Sequence, residues 1–124
     1  EIAAVPLALR EQAVFDAMFA DMDVNLREMG VGDMSVGKRV RGMWEAFHGR
    51  ALAYETALDS ADADALAEAL ARNVWRGAPP PDDAADRLAA IARAQAAHLA
   101  GQGIDALAVG QVGFLPAEGL LDAA

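Results

Sequence analysis

From Val36 to Leu58 the apolar residues Val36, Val40, Met43, Trp44, Phe47, Ala51, Tyr54 and Leu58 recur at steps of three and four. Such spacing puts side chains on one face of a helix and scatters them over both faces of a strand. It predicts a helix running from Ser35, read as its N-cap, to about Asp59. An earlier segment, about Leu7 to Met29, repeats the pattern with Phe15, Met18, Phe19, Met22, Leu26 and Met29. Pro6 suits its first turn, where a missing N–H costs nothing. Gly30 ends it, and Gly30-Val31-Gly32-Asp33 reads as a tight connection between the two helices.

Downstream, a third helix is expected over about Asp62–Arg76, with Leu66, Leu70 and Val74 inward and Gly77 ending it. Ala78-Pro79-Pro80-Pro81 reads as a stiff, extended connector. Asp82 or Asp83 then caps a fourth, alanine-rich helix carrying Leu88, Ile91 and Leu99 and ending near Gly101 or Gly103. Residues 104–115 fit a short helix, a strand or an irregular strap, and the last residues are expected to fray. Valine, isoleucine and threonine are sparse and alanine dominates, so strong strand signals are missing. The expected fold is all-α, a single-domain bundle of about four to five helices spanning 1–124, with an irregular or short C-terminal segment. At 124 residues the chain suffices for one domain and is too short for two.

Composition narrows the function. With no cysteine, disulfides, thiol catalysis, cysteine-based zinc sites and iron–sulfur clusters are excluded. A net charge of −9 disfavours nucleic acid, whose phosphates require a basic footprint. The longest uncharged stretches, Ala94–Ile104 and Ala106–Ala117, fall well short of the ~20 residues that span a bilayer. No basic leader precedes the first helix. These features point to a soluble, cytoplasmic, acidic protein. The chain opens at Glu1 without an initiator Met, so an upstream portion is expected.

No catalytic constellation is visible, and no cofactor or metal is expected. His48 and His98 stand fifty residues apart without a ligand at binding spacing, and read as surface or cap residues. Ser35 has no neighbouring base. The pairs Asp21/Asp23 and Asp62/Asp64 read as helix ends and solvated surface. Gly30-x-Gly32 lacks both the preceding strand and the lysine of a phosphate loop. The methionines at 18, 22, 29, 34 and 43 read as core fill. Trp75 reads as cover for the edge of the core.

The second helix carries what remains. Residues 38–50 hold Lys38, Arg39, Arg41 and Arg50 against one acid, Glu45, in an otherwise strongly acidic chain. A localised basic helix orients partners or meets anionic headgroups. Gly42, Ala46, Gly49 and Ala53 fall on one narrow strip beside the apolar stripe. Each glycine costs a helix about 1 kcal/mol relative to alanine, so the strip is expected to receive a second backbone, either a neighbouring helix of the same domain or a partner. Arg39 and Arg50 border it.

Taken in order, Leu26-Arg27-Glu28-Met29-Gly30-Val31-Gly32-Asp33, Val36-Gly37-Lys38-Arg39-Val40, Phe47-His48-Gly49-Arg50 with Tyr54, and Asn73-Val74-Trp75-Arg76-Gly77 resemble the ubiquinol–cytochrome c chaperone family, in its alphaproteobacterial form. The likeness covers about residues 12–77, and the alanine-rich remainder only loosely. It implies an all-helical, non-enzymatic assembly factor for the respiratory cytochrome bc1 complex (complex III). Mitochondrial members act with a small partner near the ribosomal exit and hold new cytochrome b until haem and later subunits arrive. His48 stands where the family block has tyrosine. The resemblance also implies sequence upstream, whose helix would cover this domain, so that apolar surface is left exposed or paired in a homo-oligomer.

The resulting expectation is a bc1 assembly chaperone that binds cytochrome b, or another bc1 assembly protein, through Lys38, Arg39, Arg41, Gly42, Ala46, Phe47, His48, Gly49, Arg50 and Ala53. Its expected place is cytoplasmic, in peripheral contact with the inner membrane. The alternative is a helical interaction or oligomerisation module without a bc1 role.

Overall fold

The computed structural model describes residues 7–123. Among them are six helices and no strand: α1 (Leu7–Glu28), α2 (Asp33–Asp59), α3 (Ala65–Asn73), α4 (Ala84–Ala100), α5 (Ile104–Ala108) and α6 (Ala117–Ala123). The fold class is all-α, as the spacing predicts; the Pro6 reading lies outside the described residues. Tertiary contacts divide the chain into two compact units, Glu1–Gly49 and Arg50–Ala124, and α2 continues unbroken through residue 49.

In the first unit, α1 and the front of α2 are joined by a four-residue turn. Gly30, at φ 91, takes the left-handed conformation that glycine tolerates. Gly30 N–H donates to the Arg27 carbonyl and Val31 N–H to that of Leu26, both at 3.0 Å, which closes α1 in a Schellman motif. α2 then begins earlier than Ser35. The Gly32 carbonyl accepts from both Ser35 N–H and Val36 N–H, so Ser35 lies inside the first turn and is not the cap. Arg27 ties the turn down by donating to Asp23 at 2.6 Å and to Asp33. Its pKa lies above the ordinary value, first because of the hydrogen bond to Asp23, then through attraction to Asp23 and Asp33. Val36 is fully buried, and Phe19 nearly so.

The second unit has the more continuous core. Ala57, Leu66, Ala67, Ala69, Leu70 and Ala89 form its buried cluster, with Tyr54, Leu58, Trp75 and Leu88 packed around it. Trp75 therefore covers the core edge, as expected. α3 is shorter than the 62–76 span. Ser60 Oγ and Asp62 Oδ1 accept from Asp62 N–H and Asp64 N–H, two side-chain turns that delay its start. At its end Asn73 donates to the Ala69 carbonyl, and the chain turns through left-handed Arg76 and Gly77. Val74 is left 51% exposed, so its inward placement is corrected.

Residues 104–115 resolve into α5 and an extended strap. Gln95 and Gln102 of α4 and the turn after it each grip the strap's backbone twice. Gln95 donates to the Leu115 carbonyl at 3.0 Å and accepts from Leu115 N–H at 2.9 Å; Gln102 makes the same pair with Gly113. α6 then packs on α4 and buries Leu120.

Candidate functional site

Every residue over 41–50 is exposed, Met43, Trp44 and Phe47 of the apolar stripe included. A helix whose apolar stripe is half uncovered lacks the partner that burial would supply. Met43, Trp44 and Phe47 are 38%, 46% and 39% exposed, although the stripe predicts them inward. Met29 and Met34 are nearly bare, so the core-fill reading holds for neither of them, nor for Met43; Met18 and Met22 are half-buried.

The small-residue strip is equally open. A Cβ added at Gly42 or Gly49 meets no atom within 4 Å, and Ala46 is exposed. Ala53, next on the strip, is half-buried. Lys38, Arg39 and Arg50 are exposed and form no ion pair among the described residues, while Arg41 reaches Glu45 at 3.4 Å. Ten residues named from the sequence thus share one helix, nine of them exposed. Together they give this stretch of α2 basic and small side chains at solvent.

Beside this face lies a feature that sequence reasoning missed. Phe15 and Phe19 of α1 meet Phe47 and His48 of α2. Phe15 stacks on His48 with centroids 5.0 Å apart and meets Phe47 edge-on at 5.0 Å; Trp44 stands edge-on to His48 at 4.1 Å. Next to these rings is a cleft of about 360 Å³ lined by Ala8, Glu11, Gln12, Phe15, Trp44 and His48. The signal was available: Phe15 and Phe47 each lie sixteen residues from Val31, and a short turn there sets equidistant positions opposite each other. His98, by contrast, is an exposed residue in the last turn of α4, as read. No group of three potential metal ligands occurs among the described residues, and no described helix is long and apolar enough to cross a membrane.

Comparison with known proteins places this geometry. The family profile described as Ubiquinol-cytochrome C chaperone matches residues 6–114. Among solved structures, the crystal structure of the Cbp3 homolog from Brucella abortus is similar, with 36% sequence identity and a TM-score of 0.71. The match covers 86% of this chain and 59% of that one, so the chain spans little more than half of the relative's length. No curated protein matches significantly. The profile covers nearly the whole sequence, including the Phe47–Arg50 block and the turn before α2: the chain belongs to the ubiquinol–cytochrome c chaperone family.

Proposed function

We propose that the chain acts as one helical domain in assembly of the respiratory cytochrome bc1 complex, holding newly made cytochrome b on the exposed middle of α2. The family match is the observation that carries this reading. The structure adds a face suited to the task. Gly42, Ala46 and Gly49 let a client helix approach closely, while Arg39 and Arg50 on the border set its orientation more than its affinity. A client held this way buries no deep pocket and is released without unfolding the holder. No chemical reaction is part of the proposal.

The client is a membrane subunit, so the working position is the cytoplasmic face of the inner membrane. There Lys38, Arg39 and Arg41 face anionic headgroups, an attraction that salt screens. Deleting the gene tests the function. The expected result is loss of assembled bc1 and its b-type haem absorbance with other respiratory complexes retained, restored by the wild-type gene. Normal bc1 content in the deletion strain overturns it.

A further inference from the structure

The cleft between α1 and the front of α2 has a definite chemical bias. Three of its six lining side chains are rings: Phe15, Trp44 and His48. Glu11 brings a carboxylate to this lining. The exposed Glu11 carboxylate forms no ion pair among the described residues. The Gln12 amide nitrogen donates one N–H to Asp16 at 2.8 Å, and the Gln12 carbonyl adds an acceptor to the lining. Trp44 keeps 46% of its surface exposed, so part of the indole is open to a ligand. Arg41, one turn before Trp44, is occupied by Glu45 at 3.4 Å.

Aromatic faces beside a carboxylate and a carbonyl are complementary to a planar, donor-rich cation. A guanidinium stacks on an indole while its N–H fork reaches a carboxylate; an ammonium is a more strongly hydrated point charge and matches such a site less well. We propose that this cleft takes an arginine side chain of a partner polypeptide, with Glu11 as its counter-charge and Trp44 and Phe15 as its walls. The proposal deepens the client-holding reading and rests on it for the source of the arginine. On that reading the cleft pins one residue of a segment lying along α2, giving a register to a face that otherwise discriminates little.

The test uses the full chain, labelled with ¹⁵N, titrated with the tripeptide acetyl-Gly-Arg-Gly-amide and with its citrulline and lysine counterparts. Citrulline keeps the shape of arginine and removes the charge. The indole N–H of Trp44 is the reporter and that of Trp75, in the other unit, is the internal control; the variant Trp75→Phe assigns them. Saturable shifts at Trp44 with the arginine peptide alone, weakened roughly fivefold in Glu11→Gln, are expected. Glu11 is exposed and glutamine is as good a helix former, so this variant keeps its fold, which far-UV circular dichroism verifies. An equal response to citrulline, an equal response to lysine, or an unchanged affinity in Glu11→Gln overturns the assignment. Because the probe is a tripeptide and no client is present, its failure leaves the bc1 reading to be decided by the deletion strain.

Discussion

Val36 and Leu66 are the largest side chains fully withdrawn from water, one in each unit. Leu66 belongs to the buried cluster of the second unit, where α3 meets α4, so truncating it leaves a cavity there. Leu66→Ala is expected to lower stability by about 2–4 kcal/mol, measured by urea unfolding. The glycines of α2 predict the opposite sign. Nothing stands near a Cβ at Gly42 or Gly49, and both lie inside a helix at solvent. Gly42→Ala and Gly49→Ala should each raise stability by about 0.5–1 kcal/mol in the same titration. A loss instead means a neighbour occupies the strip in the isolated protein.

At the scale of elements, four main helices were legible because apolar recurrence and Gly30, Gly77 and Gly101 mark them plainly. Their covering was not. Periodicity shows which residues share a face, and Met43, Trp44 and Phe47 do share one, but whether that face is buried depends on what lies opposite. Helix starts shifted for local reasons: the Gly32 carbonyl already opens α2, so the hydroxyl of Ser35 is not needed as a cap, and Ser60 and Asp62 hold back α3. The strap over 111–116 was one of three readings open for that stretch, and sequence could not select it, since it depends on glutamines 11 and 20 residues away. Gln95→Ala removes both hydrogen bonds to Leu115, and Gln102→Ala both to Gly113. Faster amide exchange at the released position in each variant, with α3 protection unchanged, is expected. Exchange as slow as in the wild type means the strap is held by other contacts.

For the whole molecule, charge and exposure separate. The chain is acidic, yet its barest helix carries Lys38, Arg39, Arg41 and Arg50. The basic residues were legible as a group from sequence. That the strip bordered by Arg39 and Arg50 is open at Gly42 and Gly49 was not, because the domain's own packing was an equally good reason for small residues there. Contact through this face should weaken as salt rises from low to physiological concentration, with exposed charges screened beyond about 8 Å. Salt-independent capture points to apolar contacts alone.

The central claim is that α2 holds a bc1 component through this face. Affinity capture of the tagged protein from gently solubilised cells, with cytochrome b quantified against other abundant membrane proteins, tests it most directly. Cytochrome b is predicted to be enriched by the wild type and by Gly49→Ala. It should be lost when Gly49→Leu is combined with Arg39→Glu and Arg50→Glu, in a variant whose helical circular dichroism is unchanged. Equal capture by that variant, or no enrichment by the wild type, contradicts the claim.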